Sequence, residues 1–85
     1  MSEKIVYRIK NIEEYGHLMA YCIEHDIRVW RTYWDERKKD ERCYNIDWND
    51  KICYYGSESY YRREGYTVVE PKFEFNEYGV VEIKE

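Results

Sequence analysis

The sequence predicts a small α+β domain: a mostly antiparallel sheet of about four to six strands, one main helix and one short helix. Segments with a two-residue apolar period alternate with segments of helical period, which predicts this mixture. The 85 residues contain one leucine but 11 tyrosines, three tryptophans and two phenylalanines. A buried Tyr or Trp covers about 150–250 Å², so aromatic side chains have to build the core. This length supports a single domain spanning 1–85.

The first strand and the main helix follow from a change in periodicity. From Lys4 to Ile9, large apolar residues recur at every second position, which indicates a strand. Asn11 followed by Glu14 is typical of a helix N-terminus, and apolar residues then recur at helical spacing. A helix over about 12–25 is therefore predicted. The residues expected to face the sheet are Ile12, Tyr15, Met19, Cys22 and Ile23.

A strand and a hairpin are predicted in the middle of the chain, separated by a charged loop. Residues 27–33 alternate as a short strand, and residues 35–42 contain no apolar side chain. The segments 43–48 and 51–55 flank Asn49-Asp50, which we expect to occupy the left-handed positions of a two-residue turn. In that register Tyr44 faces Tyr55, Ile46 faces Cys53 and Trp48 faces Lys51.

The second half of the chain predicts a short helix, a strand and a terminal element. Ser57 is a suitable N-cap and Gly65 a suitable C-terminal stop for a helix over about 58–64. The strand over 66–70 has to end at Pro71, which lacks a backbone donor. Residues 72–85 alternate again, which predicts a terminal strand or hairpin and a candidate arm for a homo-oligomer.

Composition and charge exclude several classes of function. No stretch reaches the ~20 apolar residues of a membrane-spanning helix, so we expect a cytoplasmic protein that does not bind membranes. The odd cysteine count indicates reduced thiols that act as small apolar side chains. These are Cys22, Cys43 and Cys53. A net charge of −4, with basic residues concentrated between Arg28 and Arg42, argues against a duplex nucleic acid partner.

Catalytic and metal-binding motifs are not evident in the sequence. His17 and His25 lack metal-ligand spacing, and together with Asp47 they are the only loose candidates for acid–base chemistry. Ser57 and Ser59 lack the context of a nucleophile elbow. The sequence therefore predicts a protein that is not an enzyme and that holds neither metal nor cofactor.

Aromatic residues next to arginines form the candidate binding site. Such a set can stack a nucleotide-like small molecule and neutralise its phosphates, or it can anchor a protein interface. The candidate ligand-binding residues are Trp30, Arg31, Trp34, Tyr54, Tyr60, Arg62 and Arg63. The alternation of side chains along a strand predicts that one of Trp30 and Trp34 is partly exposed. We also expect at least one of the adjacent pairs Tyr54/Tyr55 and Tyr60/Tyr61 to have one ring in the interior and one at the surface.

Two alternatives remain at this point. The acidic residues Glu70, Glu74 and Glu77 could engage a basic surface of a host protein, which would make the chain a protein inhibitor. The aromatic residues could also bind single-stranded nucleic acid, although the net charge of −4 opposes it.

The order of motifs over residues 4–70 resembles short accessory proteins of Gram-positive phages and prophages. The resemblance is carried by the capped helix from Asn11 to Asp26, Val29-Trp30-Arg31, Tyr55-Gly56-Ser57, Tyr60-Tyr61 and Glu64-Gly65-Tyr66. It implies a protein of the bacterial host cytoplasm that counters host machinery, including antiviral defence, by binding. It implies no catalytic residues.

Overall fold

The computed structural model describes residues 4–30 and 34–84, and it has the predicted α+β architecture. The helices are α1 (Ile12–Glu24) and α2 (Glu58–Arg63). The strands are β1 (Ile5–Arg8), β2 (Arg28–Val29), β3 (Cys43–Asp47), β4 (Ile52–Gly56), β5 (Thr67–Val69), β6 (Lys72–Phe75) and β7 (Val81–Lys84). The first five strands form one sheet and the last two form another.

The strand order of the large sheet, β2-β4-β3-β1-β5, follows from two helical crossovers. β3 is antiparallel to β4 and β1, whereas both edge pairings, β2 with β4 and β1 with β5, are parallel. Helix α1 connects β1 to β2, and helix α2 connects β4 to β5. A helical crossover of this kind lets the two connected strands run in the same direction. The crossovers run in opposite directions across the sheet, and with the usual right-handed connection their helices lie on opposite faces.

The β3–β4 hairpin has the predicted register but not the predicted turn. Tyr44 pairs with Tyr55 and Ile46 with Cys53, as the alternation indicated. The left-handed position is Lys51, with φ of 57°, so the prediction of a two-residue turn at Asn49-Asp50 was wrong. The reason is that Asp47 Oδ1 accepts hydrogen bonds from the backbone N–H groups of Asn49 and Asp50. This turn ends β3 at Asp47, one residue before the predicted end at Trp48.

Helix α1 begins where the sequence predicts but buries a narrower stripe. Asn11 Oδ1 accepts from Glu14 N at 2.9 Å. Leu18 and Cys22 are fully buried, whereas Ile12 is 60% and Ile23 is 75% exposed. The prediction that Ile12 and Ile23 face the sheet was therefore wrong. The buried stripe is centred on Leu18 and Cys22, and Ile12 and Ile23 lie to one side of it at about 100° per residue.

The main core lies between α1 and the sheet. Its buried members are Ile9, Leu18, Cys22, Ile27, Tyr44, Ile46 and Cys53, and Tyr7, Tyr15 and Trp34 pack against them. Tyr44 is the largest fully buried side chain. Cys53 is a free thiol here, as are Cys22 and Cys43. The hydrogen bond with Cys22, reinforced by burial, raises the pKa of Cys53 far above that of an ordinary thiol, so it packs as a neutral group.

A second, smaller core fixes α2 to the opposite face of the sheet. Ser57 Oγ accepts from Tyr60 N at 3.2 Å and caps the helix. Tyr61 is buried against Val6 and Cys43. Burial raises the pKa of Cys43 to about 11, the carboxylate of Glu58 adding to the effect. A Cβ at Gly56 would approach the Tyr61 ring to 3.1 Å, so glycine allows the helix to sit this close to β4.

The terminal segment is a hairpin that packs on its own chain. β6 pairs with β7 in antiparallel register, and Phe73 and Ile83 contact the main core. The His17 ring lies 5.6 Å from the ring of Phe73 and 5.2 Å from that of Phe75, between centroids. Val81 is 4% exposed. The hairpin thus covers part of α1 next to the main core.

A cation–π contact and backbone hydrogen bonds from Ile9 N to Arg42 O and from Glu58 N to Asp40 O anchor the charged loop over 35–42. The Arg42 guanidinium lies 4.3 Å from the centre of the Trp34 ring, and Trp34 Nε1 donates to Glu36 Oε1 at 2.7 Å. Arg37 forms hydrogen bonds to the carboxylate of Asp35, which lower the pKa of that carboxyl. Ion pairs within the loop therefore replace the apolar contacts that its sequence lacks.

Candidate functional site

The face of the sheet that carries α2 is only partly covered. Six helical residues span about 9 Å, which is shorter than the strands of the hairpin. Helix α2 therefore covers Cys43 but leaves the next residues of that face open. Alternation and register place Asn45, Asp47 and Tyr54 there, and Trp30 lies on the same face beyond Val29.

Two concave surfaces that share residues lie along this open face of the sheet. One has a volume of about 410 Å³ and is lined in part by Trp30, Glu41 and Tyr54. The other has about 460 Å³ and shares Tyr54 and Tyr55 with the first. We call the joined surface the tyrosine groove. Its lining residues are Trp30, Glu41, Asn45, Asp47, Tyr54, Tyr55, Gly56, Tyr60, Tyr61 and Tyr66.

Packed rings form the floor and one wall of the tyrosine groove. The Tyr61 ring lies 5.2 Å from that of Tyr60 and 5.0 Å from that of Tyr66, both near perpendicular. Burial raises the pKa of Tyr61 to about 12, so its phenol stays neutral in the physiological range. These contacts hold the wall in place while Tyr60 remains 46% exposed.

Several polar atoms of the groove have no partner in the described residues. Asp47 uses Oδ1 for the hairpin turn and keeps Oδ2 open, and Asn45 donates through Nδ2 to Ile5 O at 3.2 Å, leaving Oδ1 open. Within residues 4–30 and 34–84, the hydroxyls of Tyr54, Tyr60 and Tyr66 make no hydrogen bond. The groove therefore presents hydrogen-bond acceptors beside aromatic rings.

The charge of the groove is negative. Among the described residues, the charged ones in its lining are Glu41 and Asp47. Glu41 Oε2 forms an exposed ion pair with Lys38 Nζ at 3.6 Å, which leaves Oε1 available. Arg28 lies on the same face in register with Ile52 but does not line either concavity. The electrostatic character favours a cationic ligand group.

The structure brings together three of the four predicted aromatic residues and separates them from Arg62 and Arg63. Trp30, Tyr54 and Tyr60 line the tyrosine groove, whereas Trp34 packs against the main core. Of the tryptophans, Trp30 is 54% exposed, as the alternation predicted. Both tyrosine pairs also divide as predicted, with Tyr55 and Tyr61 on the inner side.

Arg62 and Arg63 lie outside the tyrosine groove. Arg62 Nε donates to Glu58 Oε2 at 2.8 Å, and this bond lowers the pKa of the Glu58 carboxyl. Glu58 also accepts from Arg8, which pairs in addition with Glu70 at 3.1 Å. Arg63 is exposed at the end of α2 and lines neither concavity. Arg31 falls outside the described residues.

Sequence reasoning missed part of the groove. Glu41, Asn45 and Tyr66 were not candidates, and Asp47 was considered only for acid–base chemistry. The correct hairpin register already places Asn45 and Asp47 beside Tyr54 on one face, so the alternation could have identified them. Tyr66 joins the groove through its contact with Tyr61, which only the three-dimensional packing reveals.

The remaining chemistry-bearing residues do not assemble into a second centre. In the part of the chain that the structure describes, no group of three or more His, Cys, Asp or Glu side chains could hold a metal ion. His17 contacts the terminal hairpin, and His25 lies 4.3 Å from the Tyr21 ring, between centroids. Among the described helices, none is both long enough and apolar enough to cross a membrane.

Comparisons with family models, with curated proteins and with solved structures gave no match to this chain.

Proposed function

We propose that this chain is a non-enzymatic binding protein that captures a bacterial host protein in the tyrosine groove. The setting is the one implied by the resemblance described above, in which a phage or prophage accessory protein blocks host machinery. A single observation carries the proposal: exposed Trp30, Tyr54 and Tyr60 line a concave surface whose charged residues, within the described ranges, are carboxylates.

Exposed aromatic side chains on a rigid support are typical of protein interfaces. Tyr and Trp provide large contact areas at low cost in side-chain entropy, and they dominate the binding energy of many complexes. Most groove residues belong to β3, β4 and α2, Trp30 and Tyr66 directly adjoin β2 and β5, and Glu41 lies in the charged loop. The wall is therefore formed before binding, which reduces the entropic cost of association.

A second candidate function is sequestration of a nucleotide-like signal. It is favoured by the exposed rings of Trp30 and Tyr54, which could stack a base, and by Arg28, which forms no ion pair with a described residue. Two carboxylates line the groove and would repel phosphate groups, so this candidate ranks below a protein partner.

Native mass spectrometry of the protein purified from bacterial lysate tests both candidates together. We expect the wild type to retain a protein partner and the Tyr54→Ala/Tyr60→Ala variant to lose it. The Tyr78→Ala variant is the matched control, because Tyr78 is 81% exposed but lies in the β6–β7 turn, outside the groove. All variants are first checked for native secondary structure by circular dichroism.

The outcomes separate the candidates. A bound nucleotide mass that disappears in the groove variant would establish the second candidate instead of the first. A partner retained equally by the groove variant and the wild type would contradict both, since the binding surface would then lie elsewhere.

A further inference from the structure

We infer that the tyrosine groove accepts an arginine side chain from an exposed basic segment of its protein partner. This inference rests on the proposed function and specifies the chemistry of the contact. Its basis is the combination of aromatic rings, open acceptor atoms and negative charge along one groove.

The acceptor atoms match a guanidinium group. Asp47 Oδ2, Asn45 Oδ1 and Glu41 Oε1 make no hydrogen bond within the described ranges, and each can only accept. A guanidinium carries five N–H donors and no acceptor, so it can bind Asp47 Oδ2 and Asn45 Oδ1, which line the same concavity, whereas Glu41 lines the other. Charge-assisted hydrogen bonds of this type are about twice as strong as neutral ones.

The aromatic side chains match the flat faces of the same group. The Tyr54 ring has no ring partner within residues 4–30 and 34–84, and both concavities include it. A planar guanidinium is weakly hydrated and stacks on aromatic faces, whereas an ammonium is a compact and strongly hydrated charge. An open groove of this kind therefore favours arginine over lysine.

Charge complementarity extends beyond the groove. The chain carries a net charge of −4, so long-range attraction favours a partner segment rich in basic residues. Among residues 4–30 and 34–84, neither concavity has a lysine or arginine in its lining, and Lys4 lines a neighbouring depression that shares Asn45, Asp47 and Tyr66.

The test titrates the protein with an acetylated, amidated Gly-Arg-Gly-Arg-Gly peptide and follows backbone amide shifts by NMR. Two comparison peptides replace arginine by lysine or by citrulline, which keeps the shape but removes the charge. We expect shifts centred on Asn45, Asp47 and Tyr54. Binding should weaken severalfold with lysine and about tenfold or more with citrulline, the loss of a hydrogen-bonded charge.

Matched variants connect the binding to the carboxylates. Glu41→Gln/Asp47→Asn should weaken the arginine peptide about tenfold, whereas Asp50→Asn/Glu77→Gln, with the same change in net charge, should stay within about twofold. The Asp47→Asn substitution retains an oxygen that can accept the turn hydrogen bonds, so the hairpin is preserved. Equal binding of the citrulline peptide, equal loss in both double variants, or no shifts at millimolar peptide would overturn the inference.

This failure is distinguishable from failure of the proposed function. If the groove variant loses its protein partner but arginine is not required, only the chemistry of the contact is wrong. If the groove variant keeps its partner, the proposed function itself fails.

Discussion

Replacing Tyr44 by alanine is expected to remove about 4 kcal/mol from the free energy of unfolding. Tyr44 is fully buried at the centre of the main core, against Tyr15 and Tyr55, with ring centroids 5.9 and 6.3 Å away. A chain of 85 residues has a total stability of about 4–13 kcal/mol, so the substitution should remove about a third or more of it. Urea denaturation followed by circular dichroism measures the loss.

The control for this experiment is Tyr78→Ala, which removes a ring of equal size from a position that is 81% exposed. It should change stability by less than about 0.5 kcal/mol. A loss at Tyr44 no larger than that at Tyr78 would mean that the aromatic core described above is not the one that stabilises the protein.

Removing the apolar side chains that dock the terminal hairpin is the second large expected effect. The Phe73→Ala/Ile83→Ala variant should lose about 3 kcal/mol, since both side chains pack against the main core from β6 and β7. The loss should be independent of protein concentration, because the contacts lie within one chain. Urea denaturation at several protein concentrations measures both the size and the dependence.

The dependence of the unfolding midpoint on protein concentration shows whether the chain forms an oligomer. A homo-oligomer in which the tail acts as an exchange arm remains a prediction from the sequence. If the midpoint of unfolding of the wild type rises with concentration and that of Phe73→Ala/Ile83→Ala does not, the hairpin docks on a second copy instead of on its own α1.

The elements of this fold were predictable because their signals are local. The cap at Asn11, the stop at Gly65 and the alternation in β1 each depend on a few neighbouring residues. The hairpin turn was not predictable in this way, because the side chain of Asp47 accepts hydrogen bonds from the backbone N–H groups of Asn49 and Asp50. The exposure of Ile12 and Ile23 was also not predictable, because the packing of α1 on the sheet decides that the buried stripe is centred on Leu18 and Cys22.

In the candidate site, too, some residues were predictable from the local sequence and others were not. Trp30, Tyr54 and Tyr60 share the groove because strand alternation and helix capping fix their directions. Arg62 does not join them, because Glu58 one turn earlier binds its guanidinium at 2.8 Å. A pattern of residue types next to one another in sequence thus predicted the aromatic surface but not the charges that surround it.

The surplus of aromatic residues has two structural causes. Tyr44 and Tyr61 replace the missing aliphatic side chains on the two sides of the sheet. Tyr54 and Tyr60, next to them in sequence or in space, remain partly exposed because α2 is too short to cover the whole face. The groove is therefore a direct consequence of the short second crossover.

Site-specific photo-crosslinking in bacterial cells tests most directly whether the groove is the surface that holds the partner. p-Benzoylphenylalanine at position 60 places the reactive group in the groove, and the same residue at positions 12 and 78 places it on exposed sites outside. A protein adduct that forms from position 60 and not from positions 12 or 78 is the predicted result. Adducts that form from position 12 or 78 but not from position 60 would contradict the proposed function.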